Sequence, residues 1–525
     1  MSDSLPTELV ERVRAEFDAD FYLAANKDVA DAGADPFAHF MMFGAREGRD
    51  PRPDFSVRRY LDLHVDVREA GVNAFVHWIG AGRAEGRATD HGLGFRYDVL
   101  WSGKPIEERL RDLRLALPDR PADDIDRLQR ALAASGAQGP VHVTVSHDDY
   151  TTGVGGVQLC IRLEANAIRL AGADHVHLFP QAANAVVDVE RDAPTMGVLL
   201  NGKVAGFFTH AQIVDVLSPW LRKRTTTLAV HSLIGHAVPR LLKVLTGAGL
   251  SKGFFWLHDF SSLCAGYTLM RNDIVSCGAP PMDSAACEVC SYGRRRRIQV
   301  PAHVELFQAL DLTVVAPSRS ALDLWRTRFP VAPARLIVHP HATLEPRAVQ
   351  PTASHALDRP LRVAFLGMPS LHKGWPVFAD LAIGLVDDPR YEFHHLSAIQ
   401  EHRVPARFTR VSPTDAEPQP MPAAVEALEI DVVVIWSLWP ETFCLAALEG
   451  LAAGAAILTT SSAGNVVDIV NADPARGRVI ADEAALFDVF ASGDALSLSR
   501  AARDPVLFDM VFGGISADLI PELAS

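Results

Sequence analysis

Residues 439–460 read WPETFCLAALEGLAAGAAILTT and carry two carboxylates, Glu441 and Glu449, with seven residues between them. The apolar run IDVVVIWS before Pro440 predicts a buried strand. Glu441 then falls at a strand-to-helix turn and Glu449 two turns into the helix that follows. A carboxylate at the mouth of a site accepts a hydrogen bond from a sugar hydroxyl, and one farther along the helix accepts both hydroxyls of a ribose. Two glutamates at this spacing on a solvated helix would do no chemistry. The Gly-Leu-Ala-Ala-Gly helix end and the buried strand after it separate this pair from that case.

Other residues suit an anionic ligand. In VAFLGMPSLHKGWPVFADLA a strand runs into Gly367, then a short loop, then Lys373 and Gly374 before a helix. A cation and free backbone N–H groups converge where a helix starts, which suits a phosphate. Upstream, Gly153, Gly155 and Gly156 precede the helical pattern GVQLCIRLEANAI, where bare backbone comes close to a charged group. G-V-G-G-V-Q lacks the third glycine and the closing acidic residue of a dinucleotide fingerprint, so NAD binding is disfavoured. The loop Thr459–Asn465, with Gly464 and Asn465, either brings its backbone to a ligand or is simply a turn. His231 in LAVHSLIGH, and His258 with Asp259 in FFWLHDF, end apolar strands, as buried, satisfied histidines or as groups facing a cleft. Four of the six cysteines, Cys264, Cys277, Cys287 and Cys290, crowd one segment and end in CxxC. They fit either a closed tetrahedral zinc or a loop of reduced thiols. The following Arg294 to Arg297 run reads as a solvated face, with contact to an anionic acceptor or a membrane surface as the other reading.

The Glu441/Glu449 segment resembles the E-x7-E signature of the retaining GT-B glycosyltransferases of the family 4, or group 1, type. The resemblance covers roughly residues 140 to 500. It implies that Glu441 contacts the donor sugar, that Glu449 binds the nucleotide ribose, and that Lys373 binds the pyrophosphate. Gly155 and Gly156 resemble the family's glycine loop facing the donor phosphates, and His258-Asp259 its HD element near the reacting sugar. His231 is carried to the acceptor side. Related glycosyltransferases have a similar C…CxxC insertion after the HD element. Met368 departs from the pattern, because an Arg commonly follows the glycine corresponding to Gly367. One of two cations is missing, and a protonated His372 would be its substitute.

Elements must hold these residues in place. Apolar runs alternate with helical patterns from VHVTVS to LTVVAPS, and again from LRVAFLG to GRVIA, which predicts an α/β protein with parallel sheets. The expected fold is GT-B, two Rossmann-like domains facing across a cleft, preceded by a small helical repeat module. Residues 1–90 form that module, because Phe17, Tyr22, Asp28, Gly33, Phe37, His39, Gly44 and Gly48 recur 38 positions later as Phe55, Tyr60, Asp66, Gly71, Phe75, His77, Gly82 and Gly86. Each repeat reads as two short helices, with Gly33 and Gly44 as C-caps and Asp35 as an N-cap. His39 and His77 lie among aromatics without a second ligand at metal spacing, and are read as packing or capping groups. Residues 91–140 are a helical connector, 141–355 the acceptor domain with its Cys-rich insertion, 356–500 the nucleotide-sugar-binding domain, and 501–525 a tail returning as a helix.

Composition bounds the function. With 525 residues, 48% of them hydrophobic, the chain has enough material for two or three cores. A formal net charge of -14 argues against a nucleic-acid partner and leaves any anion site local. The acidic N-terminus does not read as an export signal and no apolar run reaches bilayer length, so a cytoplasmic protein is expected. Asp124-Ile125-Asp126 falls in the connector rather than after a strand. The expected reaction therefore needs no catalytic metal, and a structural zinc is the one metal considered. The reading is transfer of a sugar from a nucleotide-diphosphate sugar to a glycan or lipid-linked acceptor, in bacterial polysaccharide or cell-surface glycan assembly. The rivals are a GT-B nucleotide-sugar epimerase and a donor-binding scaffold whose repeats engage a protein partner.

Overall fold

The computed structural model describes residues 5–116, 120–135, 139–182, 184, 195–348, 350, 359–414, 419–503 and 505–521. They divide between two compact units. One comprises residues 1–102, 355–434 and 483–502; the other comprises 103–354, 435–482 and 503–525. The α/β expectation is met, with parallel sheets preceded by a helical N-terminal segment. Among the described residues no helix is long and apolar enough to cross a membrane.

The second unit is built on ten strands in its first part: β1 (Val141–Val145), β2 (Asp174–Pro180), β3 (Thr195–Leu200), β4 (Lys203–Thr209), β5 (Thr226–Val230), β6 (Lys252–Trp256), the short hairpin β7 (Met270–Arg271) and β8 (Val275–Ser276), β9 (Asp311–Ala316) and β10 (Arg335–Val338). Eight of them form one sheet in the order β10-β9-β6-β5-β1-β2-β3-β4. β1 pairs in parallel with both β2 and β5, while β3 runs antiparallel to β2 and to β4. The helix Gly156–Leu170 carries the chain from β1 to β2, and the helix His210–Leu221 later brings it to β5, which lies on the opposite edge of β1 from β2 in the strand order. The chain thus changes direction between β1 and β5. In sheets of this kind the carboxyl ends of the strands at such a switch point are the usual ligand position.

β1 alternates apolar and polar residues, VHVTV, yet all five are buried. Its valines face one core, while His142 and Thr144 point at Glu164 on the helix Gly156–Leu170. A polar layer therefore lies between sheet and helix, buried because its members satisfy one another. In the same unit, strand Ala456–Thr460 pairs in parallel with Gly477–Ile480. The tail departs from the expected helix. It forms a strand, Phe508–Phe512, antiparallel to Ala342–Pro346, and then a 3-10 turn, Ser516–Leu519. Alternate exposure along FDMVF, with no helical stripe, suits an edge ribbon.

In the first unit, strand Leu361–Leu366 pairs in parallel with Tyr391–Ser397 and with Val432–Ile435, and Tyr391–Ser397 pairs with Arg407–Arg410. The repeats belong to this unit, around a core that includes Tyr22, Phe40, Phe55, Tyr60 and Phe75. Each repeat has three short helices rather than two, because Asn26 and His64 leave helical geometry and split the first one. Asp35 caps as expected, accepting from the Ala38 N–H, and Gly33 takes the left-handed C-terminal position with φ 61°. Gly44 is not a C-cap. It ends a π-turn where an added Cβ would meet the Tyr22 hydroxyl at 2.0 Å, as one at Gly82 would meet Tyr60 at 2.3 Å. Those hydroxyls bond His39 Nδ1 and His77 Nδ1 at 2.9 Å, so both histidines serve packing.

Candidate functional site

The turn after Pro440 is held by backbone contacts that admit little variation. Asn465 donates its N–H to the Glu441 carbonyl (2.9 Å) and its side-chain amide to the Phe443 carbonyl (2.7 Å). Gly464, at φ 60°, passes so close that an added Cβ would lie 2.6 Å from the Glu441 nitrogen and carbonyl oxygen. The loop Thr459–Asn465 therefore works as a close-packed support for Glu441. Glu441 is buried, and its Oε1 accepts from Ser437 Oγ at 2.6 Å and Trp439 Nε1 at 2.9 Å.

Cys444 then adopts a left-handed conformation, φ 71°, and the helix Leu445–Ala452 begins. It starts four residues after Glu441, so Glu449 lies one turn in rather than two. The Glu449 carboxyl has no hydrogen-bond partner among the described residues, and burial pushes its pKa up to about 7. At the start of this helix, Leu445 Cδ1 stands 3.6 Å from where a Cβ on Gly156 would be. The expected glycine loop thus meets the first turn of the glutamate helix. Gly155 is as confined, since its Cβ would be 2.5 Å from Gln158 Oε1.

His258 joins the same constellation. Its carbonyl accepts from Thr442 Oγ1 at 3.0 Å, next to Glu441, and its Nε2 lies 2.9 Å from His231 Nδ1. Burial first, then the imidazoles of His341 and His231, hold its pKa well below the ordinary histidine value, so the ring is neutral. Asp259 turns away from this chain, accepting from Ser232 Oγ and the Ser261 N–H. Glu441, Glu449, His258, Asp259, His231, Gly155, Gly156, Gly464 and Asn465 all belong to the second compact unit.

Gly367, Lys373 and Gly374 belong to the first unit. Gly367, at φ 95°, ends strand Leu361–Leu366, and its carbonyl accepts from His395 Nε2 at 3.1 Å. Leu371–Lys373 form one 3-10 turn, Gly374 is left-handed at φ 82°, and the helix Trp375–Gly384 follows with Pro376 in its first turn. The cation is therefore set at a helix start, while Met368 is half exposed.

The four clustered cysteines line one cavity of about 20 Å³ together with Arg296. No three of their sulfurs lie within 4.8 Å of one another, which is wider than zinc–sulfur bonds of about 2.3 Å allow. The basic run is not uniformly solvated: Arg296 is buried, donating to the Leu263 carbonyl (2.9 Å) and to Cys287 Sγ (3.0 Å). Cys160, His258 and His341 do bring ligand atoms within 4.8 Å of one another. The two imidazoles, however, stack 4.9 Å apart and within 13° of parallel, so their in-plane lone pairs run side by side instead of meeting at one ion.

Sequence reasoning missed Glu164, His142, His341 and Thr442. The chain matches no family model and no curated protein. Similar solved structures include a sucrose-phosphate synthase from Thermosynechococcus elongatus (14% identity, 69% of this chain and 92% of that one, TM-score 0.46). Others are Anabaena HepE in complex with UDP (12%, 69% and 92%, TM-score 0.40) and an α,α-trehalose-phosphate synthase from Burkholderia vietnamiensis (13%, 69% and 92%, TM-score 0.39).

Proposed function

We propose that this chain is a retaining GT-B glycosyltransferase of the family 4 type, moving a sugar from a nucleotide-diphosphate sugar to an acceptor hydroxyl in glycan assembly. The observation that carries the reading is Glu449, a half-buried carboxyl with a raised pKa and without a partner among the described residues, one turn into a helix whose start abuts the Gly155-Gly156 loop. A ribose offers two adjacent hydroxyl donors to such a group. Glu441 and His258, linked through the Thr442 hydrogen bond, take the sugar. The glycine-loop amides meet the pyrophosphate and stabilise the departing nucleotide diphosphate as its bond to the sugar breaks.

Incubation of the protein with a panel of nucleotide sugars, with and without glycan acceptors, tests the reading. Release of nucleotide diphosphate coupled to acceptor glycosylation is expected. Release of nucleotide and epimerised sugar without an acceptor would make it an epimerase, and binding without any release would make it a scaffold.

The cysteine cavity is proposed to hold one structural zinc. Its donor set suits the ion: four thiols, with the buried Arg296 cation placed to offset the negative charge of a tetrathiolate. Binding would draw the sulfurs inward from their present spacing.

A further inference from the structure

Strand Val432–Ile435 ends a few residues before Glu441, and the stretch 436–440 between them curls round that residue's own carboxyl group. Ser437 Oγ donates to Glu441 Oε1 at 2.6 Å, and Trp439 Nε1 donates to the same oxygen at 2.9 Å. All three side chains are buried, so neither donor has bulk water as an alternative acceptor. An indole nitrogen can only donate, which fixes the direction of that bond.

Two donors on one oxygen set the orientation of the group as well as satisfying it. The last torsion of a glutamate side chain is broad, so a carboxyl held by a single bond still turns about it. Separate anchors at positions 437 and 439 remove that freedom. The anchors are themselves held. The Trp439 ring lies edge-on to Phe260, with centroids 6.4 Å apart and planes at 76°, and Phe260 directly follows His258 and Asp259. On the other side of Glu441, Thr442 Oγ1 donates to the His258 carbonyl. The glutamate is thus flanked at 439 and at 442 by contacts to one loop, residues 258–260.

We propose that Ser437 and Trp439 are positioning residues for sugar transfer, holding Glu441 Oε1 so that the carboxylate meets the donor sugar through Oε2. The part played by Oε2 rests on the glycosyltransferase reading; the hold on Oε1 does not. The competing role is purely structural, in which the two bonds satisfy a buried carboxyl and do no more. Positioning residues act only through Glu441, so their removal has no further effect on turnover once that side chain is gone, whereas a structural defect adds to its loss.

Proton–nitrogen NMR of tryptophan-labelled, full-length protein reads the hold without any substrate, the Trp439 indole signal being assigned by its loss in Trp439→Phe. That indole proton is expected downfield and slow to exchange with solvent, and it should move upfield in Glu441→Ala. Exchange as fast as that of an exposed tryptophan, or an unmoved signal in a folded Glu441→Ala, overturns the hold. With a donor found by the nucleotide-sugar panel, Ser437→Ala and Trp439→Phe, the latter keeping a ring against Phe260, should each lower kcat roughly tenfold and leave affinity for bare nucleotide diphosphate unchanged. Ser437→Thr, which keeps the hydroxyl, should restore most of the rate. In the Glu441→Ala background the same two substitutions should change kcat by less than about twofold. Equal losses in both backgrounds, or no loss in the wild-type background, overturn the positioning role. Absence of turnover with every nucleotide sugar would sink the part played by Oε2 together with the glycosyltransferase reading, while the indole signal still decides the hold on Oε1.

Discussion

Glu449 makes a pH-dependent prediction. Its folded pKa, near 7, lies above that of an exposed carboxyl, so its contribution to stability is fully present below about pH 4.5 and is lost as pH rises through 7. A ribose diol stabilises the ionised form, so binding below pH 7 must also expel a proton. The affinity of the wild type for bare nucleotide diphosphate should therefore rise with pH between 6 and 8 more steeply than that of Glu449→Gln, as read by calorimetry. At pH 8 that variant should bind roughly ten- to hundredfold more weakly. Glu441→Gln should slow transfer by a similar factor and leave nucleotide affinity nearly unchanged. Gly464→Ala should do more damage than either, since its Cβ would displace the Glu441 backbone from 2.6 Å in a left-handed conformation. A loss on the order of 2 kcal/mol in urea unfolding is expected. Glu441 and Glu449 were legible in the sequence because their spacing sits between two apolar runs. Glu164 was not: in LCIRLEANAI it reads as one solvated helix position. Only folding brings in its partners, from 22 and 67 residues away.

Among the elements, the π-turns of the repeats give an ordered test. Gly44→Ala and Gly82→Ala push a Cβ into the Tyr22 and Tyr60 hydroxyls and break their bonds to His39 and His77. Each should cost about 1–3 kcal/mol. Gly48→Ala, whose Cβ meets nothing within 4 Å but sits at φ 75°, should cost only the left-handed penalty of about 1–2 kcal/mol. The repeat was visible as a 38-residue period, whereas the role of Gly44 was not, because close approach to a tyrosine and helix capping select the same residue. The cysteine segment makes an independent prediction: elemental analysis of protein purified without chelators should find one zinc per chain. Full titration of four free thiols with no zinc would refute it. Cys287→Ser should lower both zinc content and Tm, with Arg296 left buried without a thiolate.

For the whole molecule, the repeats contain none of the site residues, yet they share a compact unit with residues 355–434 and 483–502. The contact runs through the connector: Arg58 and Arg59 pair with Asp98, and Arg96 holds Glu483 through two hydrogen bonds of 2.9 and 2.6 Å. Deleting residues 1–90 should therefore lower Tm by a few degrees while leaving transfer per folded molecule intact. Loss of turnover in a folded truncation would show that the module does more than support its unit. The α/β alternation was plain from sequence. The division into units was not, because it depends on ion pairs such as Arg96 with Glu483, 387 residues apart.

The amide of Ser516 completes the shell of Glu164 from 352 residues downstream, and its hydroxyl accepts from Trp256 Nε1. During translation at roughly 5–20 residues per second, Glu164 leaves the ribosome on the order of 20–70 seconds before that amide exists. Throughout that interval one carboxylate oxygen lacks a donor that the finished protein supplies, and sealing it dry would carry the penalty of an unmet buried charge. The nascent β1–β5 region must therefore stay hydrated at this point until Ser516 has been made. A turn made 352 residues later is what closes this part of the sheet.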